Sequence, residues 1–298
     1  MAITASQVKE LRDKTGAGMM DCKKALVEAD GNFEKAIEIL RKKGTSVAAK
    51  RAGRDANEGI VLTKILDDGK TGLILEVNCE TDFVANSDDF VNFANFVLAA
   101  IVAKKPSNIE ELLLTDFDVK NVGEELTNIT GKIGEKIQIS RFKLESSENS
   151  LYTNYVHHGS KLAVLIKADG VEGVDQNSLK NTLIDIAMQA AAMKPIYLNR
   201  EDVPEDVINK EKDIYMEISR KEGKPDHILE KIAEGKLNKF FQEICLNEQT
   251  YVKDNSKVVK DIIADFNKID SSDVKLSAFY RFHLGLSLIH ISEPTRPY

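Results

Sequence analysis

Cysteine is scarce in this 298-residue chain: Cys22, Cys79 and Cys245 stand far apart, with no C-x-x-C pair among them. That spacing excludes a disulfide framework and a cysteine-based metal site, and it points to reduced thiols and a cytoplasmic location. No run of about 18 apolar residues occurs, so no membrane span and no membrane partner are expected. The opening residues lack a basic-then-apolar pattern, so no signal peptide is expected. Phosphate-binding loops are missing as well. Gly16 and Gly18 form a lone Gly-x-Gly that follows a helical pattern and lacks the lysine of a P-loop. No histidine or lysine lies beside a serine or cysteine as a base beside a nucleophile would. These absences predict a protein that is not an enzyme and carries neither metal nor cofactor.

What is present is an ordinary globular balance, 42% apolar and 30% charged, with net charge −7. That sign argues against direct nucleic-acid binding. The charge is uneven: residues 1–54 carry 12 Lys+Arg against 7 Asp+Glu, net +5, which leaves −12 for the rest. The asymmetry is read as a distinct N-terminal module meeting an acidic surface, against the plainer reading of a solvated helix face.

Thr4-x-x-Gln7 is a capping box for a helix over about 5–13, and Gly16 and Gly18 break it. Cys22, Ala25, Leu26 and Ala29 recur at helical spacing. Asn32 caps a third helix, with Phe33, Ala36, Ile37 and Leu40 inward, expected to stop at Gly44 and be followed by a basic linker over 48–54. The pattern then turns to strands at 60–66 and 72–78 around the turn Asp67–Lys70, followed by a helix over 88–103 ahead of Pro106. A short helical stretch at 123–130 and a strand at 136–144 come next. The strand-strand-helix order then repeats at 152–157, 162–168 and 179–193, which hints at a duplicated core.

Segments 202–221 and 225–246 read as charged helices separated by Gly223 and Pro225. Val203, Val207, Ile214, Ile218, Ile228 and Ile232 form narrow apolar stripes, suited to an antiparallel helical hairpin. A helix over 258–266 and a strand over 275–284 follow.

Three places invite a functional reading. A buried-looking strand, 73–78, exits into Asp82 and Phe83, an acid and an exposed-looking aromatic. Met19 and Met20 begin a helix, where spacing alone favours core filling over an adaptable surface. His157 and His158 lie between two strands. Adjacent residues of a strand face opposite ways, so one inward and one outward histidine is the ordinary expectation, and a metal pair is a poor one.

Residues Val8–Leu26, reading VKELRDKTGAGMMDCKKAL, closely resemble the N-terminal signature of bacterial elongation factor Ts. Val77–Ala85, reading VNCETDFVA, resembles the second signature of that family. Lys132-Ile133-Gly134-Glu135, His158-Gly159, Lys194-Pro195 and Phe279–Phe282 support it, and the resemblance runs from residue 1 to about Gly285. It implies a guanine-nucleotide exchange factor for elongation factor Tu, in its GDP-bound and nucleotide-free forms, during translation. By the same resemblance, a UBA-like N-terminal bundle docks on the partner through Arg12, Met19 and Met20. Asp82 and Phe83, between Thr81 and Val84, intrude beside the partner's Mg²⁺–nucleotide site. Ile133, Gly134 and His158 are further partner contacts. Residues 286–298 depart from the acidic helical end of relatives and are expected to be a non-native tail.

The expected fold class is α+β: a three-helix module and linker (1–54), a two-part sheet-and-helix core (55–145, then 146–202 with 247–285), and an inserted helical hairpin (203–246). The rival to nucleotide exchange is an adaptor that binds through the N-terminal bundle without promoting exchange.

Overall fold

The computed structural model describes residues 3–285, which fall into two compact units. One joins the residues up to Leu62 with Leu75–Leu144; the other joins Thr63–Ile74 with the residues from Glu145 onward. The fold class is α+β. The expected tail, 286–298, lies outside the described residues.

The first unit opens with three helices. Helix α1 (Ala5–Thr15) begins at the Thr4–Gln7 capping box and ends where Gly16 turns left-handed, φ 66°. Helix α2 (Met19–Glu28) and helix α3 (Phe33–Arg51) pack on it around Val8, Leu11, Cys22, Ala25, Leu26 and Ala36. Gly44 does not stop α3, which continues through the expected linker as far as Arg51. Its role is close packing. A Cβ placed on Gly131, in the later helix Val122–Ile133, would lie 2.6 Å from the Gly44 Cα, so that helix and α3 cross with almost no side chain between them. In the division into two units, residues up to Leu62 fall in the same unit as 75–144.

Strands β1 (Glu58–Leu66) and β2 (Thr71–Cys79) form the expected hairpin, and all nine residues of β2 are buried. A one-turn helix, α4 (Asp82–Ala85), leads to α5 (Asp88–Lys104), capped by Ser87. Phe90, Phe93, Ala94 and Val97 of α5 are buried as expected. Helix α6 (Ile109–Leu113) and the ribbon β3 (Asp116–Phe117)–β4 (Lys120–Asn121) precede α7 (Val122–Ile133), and β5 (Ile137–Ser146) completes a sheet of order β1-β2-β5.

In the second unit, β6 (Ser150–Val156), β7 (Leu162–Asp169) and the late strand β10 (Lys275–His283) form an antiparallel sheet of order β10-β7-β6. Helix α8 (Gln176–Met193) covers it with Leu179, Leu183, Ile186 and Ala190. Helices α9 (Glu205–Lys221) and α10 (Asp226–Ile244) form the hairpin, followed by the ribbon β8 (Thr250–Tyr251)–β9 (Asp254–Val258) and α11 (Val259–Asp270). The hairpin's inward face differs from the expected stripe. Leu229, Ala233, Leu237 and Phe241, spaced four apart on α10, are buried, whereas Ile214 and Ile218 of α9 are exposed. A short apolar repeat on a charged helix has two candidate faces, and the facing helix selects one.

Candidate partner-binding site

Strand β2 leaves the first unit's core at Cys79, whose thiol donates to the Thr81 carbonyl at 3.1 Å. Burial, and then the nearby Glu135 carboxylate, push that thiol up to about 12. The Thr81 hydroxyl accepts from the Val84 N–H at 3.4 Å and so caps α4. Behind the turn, the Asn86 amide donates to the Asp82 carbonyl (2.7 Å) and the Ser87 hydroxyl to the Val84 carbonyl (2.8 Å). Of the four residues of α4, only Ala85 is buried. Asp82 points into solvent, Val84 is half-buried, and Phe83 is 84% exposed. The benzyl group thus stands on a backbone whose polar groups are tied down, and exposure costs it the apolar burial that a phenylalanine ordinarily gains.

Two carboxylates hold this turn. Glu135 accepts the Thr81 N–H at 3.0 Å on one oxygen and the Thr81 hydroxyl at 2.8 Å on the other. Glu80 accepts the Lys136 N–H at 2.7 Å and both carboxylate oxygens meet the Arg51 guanidinium, at 3.2 and 3.1 Å. Arg54 adds a contact at 3.6 Å. Residues 80–81 and 135–136 therefore exchange bonds in both directions. Neither carboxylate is among the site residues expected from the sequence, although both stand inside the motifs quoted above. Their motif membership was the available signal.

The remaining expected residues of the first unit lie near its surface. Met19 and Met20 are 54% and 62% exposed. Spacing favoured a core role for them, and the structure corrects that. The inward face of α2 starts at Cys22, whose thiol reaches back to the Ala17 carbonyl, so the preceding loop fills the space that the first turn would otherwise bury. Arg12 is exposed on α1. Ile133 and Gly134 close α7, with Gly134 left-handed at φ 80° and open space where a Cβ would stand.

His158 belongs to the second unit. Strand β6 ends at Val156, so His157 and His158 sit in the following turn and both are exposed. The expectation of one inward histidine fails because strand alternation does not continue into a turn. His157 Nδ1 lies 2.9 Å from the Tyr155 hydroxyl.

Among the described residues no group of three or more His, Cys, Asp or Glu is placed to hold a metal ion, and no helix is long and apolar enough to cross a membrane.

The family model described as Elongation factor TS matches residues 80–286, which include the Thr81–Val84 turn and the Glu135 that holds it. The chain belongs to the elongation factor Ts family. With that membership it is a translation elongation factor. Elongation factor Ts of Chloroherpeton thalassium is 43% identical over 287 residues, covering 95% of this chain and 98% of that protein. The elongation factor Ts of Nautilia profundicola is 47% identical over 289 residues, covering 96% and 94% respectively. That of Chlorobium phaeobacteroides is 45% identical over 287 residues.

Proposed function

We propose that the chain promotes GDP release from elongation factor Tu by inserting the Asp82–Phe83 turn beside the partner's Mg²⁺–nucleotide site. The observation that carries this reading is Phe83, an aromatic 84% exposed on a turn fixed by Thr81, Glu135 and Glu80. Bound GDP and Mg²⁺ depend on oriented donors and a tight oxygen shell. An aromatic pushed between the elements that carry those groups disturbs their geometry and lowers nucleotide affinity. Linkage makes the effect reciprocal, so nucleotide weakens binding of the wedge by the same factor. Each ~1.4 kcal/mol of coupling changes affinity about tenfold, so a small displacement suffices. No covalent chemistry is required of this chain.

Met19, Met20 and Arg12 supply docking contacts on the N-terminal helices, Ile133 and Gly134 a contact next to the wedge, and His158 a contact from the second unit. The decisive measurement is release of fluorescent GDP from elongation factor Tu. Accelerated release that Phe83→Ala abolishes supports exchange. Stable binding of the partner without accelerated release would leave the adaptor role in its place.

A further inference from the structure

We propose that Glu80 and Glu135 are positioning residues that join the docking helices and the Phe83 turn into one body. The proposal rests on the exchange reading given above and names the part of the fold that makes the wedge effective.

Three segments meet at these carboxylates. The turn comes first: Glu135 takes both donors of Thr81, the residue that caps α4. The second is the α7–β5 junction, which contains Ile133 and Gly134 and donates the Lys136 N–H to Glu80. The third is the C-terminal end of α3, which brings Arg51, and beyond it Arg54, onto Glu80. The Glu80 side chain is only 12% exposed and that of Arg51 33%, so the pair is partly sheltered from water. Hydrogen bonds between ionised partners are stronger and more directional than neutral ones. Helix α3 is packed in turn against α2, which carries Met19 and Met20, and crosses α7 at Gly44 and Gly131.

The physical consequence concerns force transfer. A wedge on a loose turn would fold back when pushed against the partner, and the binding energy gained at the docking helices would not reach the nucleotide site. A turn whose cap is held by two bonds to Glu135 cannot rotate without breaking both. Glu80, the residue before that cap, is held from α3. Docking at one end is thereby delivered as displacement at the other, the requirement for coupling between two sites.

The test uses the full chain and elongation factor Tu loaded with fluorescent GDP, with release rates taken across exchange-factor concentrations. This separates the maximal rate from the half-saturating concentration. Glu135→Ala is expected to lower the maximal rate about tenfold, equivalent to about 1.4 kcal/mol, with a much smaller shift in the half-saturating concentration. Glu135→Gln should recover most of the rate, because its amide oxygen still accepts the Thr81 N–H. A purely structural role would reduce the active fraction and leave the maximal rate per active complex unchanged. That outcome, with circular dichroism to count folded protein, overturns the proposal. Should Glu135→Ala fail to fold, Glu80→Gln and Arg51→Met decide it: each should lower the maximal rate, and the double variant should lose no more than the worse single one. Additive losses, or no losses, overturn the clasp. Phe83→Ala run in parallel keeps the two readings apart. If Phe83→Ala is silent, exchange by the wedge fails first; if it is severe while the clasp variants are silent, only the clasp fails.

Discussion

In the first sheet, the hairpin β1–β2 is followed by α5, and the third strand, β5, pairs with β2. In the second, the hairpin β6–β7 is followed by α8, and β10 pairs with β7. The two plans match, strand for strand. They part at the exit of the central strand. Beyond β7 the chain turns at Gly170, where a Cβ would meet the Asp273 carbonyl at 2.3 Å, and Val171 and Val174 fold back into the core. Asp175 then caps α8 directly. Beyond β2 the chain makes an additional helical turn before Ser87 caps α5, and that turn points Phe83 outward. One topology therefore serves two ends. Where the exit residues are valines, burial closes the connection. Where they are an acid and a phenylalanine on a bonded turn, the connection becomes a surface.

The largest effect is expected from Phe83→Ala. Removing an exposed ring should lower the maximal GDP-release rate at least tenfold while changing stability by no more than about 0.5 kcal/mol. Fluorescent GDP release and thermal denaturation check the two halves, and a large stability loss with unchanged exchange would sink it. The opposite pattern is expected at the other exit. Val174→Ala deletes buried methyl groups and should cost about 1–3 kcal/mol in urea unfolding, with the exchange rate per folded molecule unaltered. A loss of specific exchange there would mean that the second exit also serves the partner.

Thr81→Ala is expected to have a smaller effect. It removes the cap of α4 and one of the two bonds to Glu135, at a cost of about 0.5–2 kcal/mol, and release should fall several-fold. Unchanged release in that variant would show that the cap does not orient Phe83. Shortening the hairpin by replacing 212–236 with a Gly-Ser turn should alter release least, since its root cluster at Val203, Phe241 and Cys245 lies outside that segment. Complete loss of release with a folded core would instead assign the hairpin a contact near the nucleotide.

The two units also share a titration behaviour. Burial pushes Cys79 and Cys245 from the ordinary 9.0 up to about 12. A thiol whose value is raised by folding contributes stability fully below pH 9, and that contribution is lost as the pH climbs toward 12. Urea midpoints should therefore hold steady to about pH 9 and fall above it, and both thiols should resist alkylation at neutral pH. Rapid labelling of the native chain would contradict their burial.

Local chemistry in the sequence determined much of this protein. Thr4, Asn32 and Ser87 start their helices, Gly16 ends one, the periodicity of Phe90, Phe93, Ala94 and Val97 shows the face that α5 buries, and Asp82 and Phe83 stand out after a strand rich in Leu, Ile and Val. Such signals act within a turn or two of helix or across adjacent strand residues, so they are legible without a fold. The features that misled or escaped sequence reading lie at longer range. Gly44 looks like a helix stop until Gly131 is placed against it, 87 positions along the chain. The hairpin's stripe is ambiguous until α9 and α10 face each other. Glu80 and Glu135 are single acids in a chain with 48 Asp+Glu, and only the tertiary structure brings each to the other's neighbour. A carboxylate has no preferred local conformation that announces its partner. Its bonds are set by whichever backbone donors and guanidinium groups the packed helices and strands bring within about 3 Å.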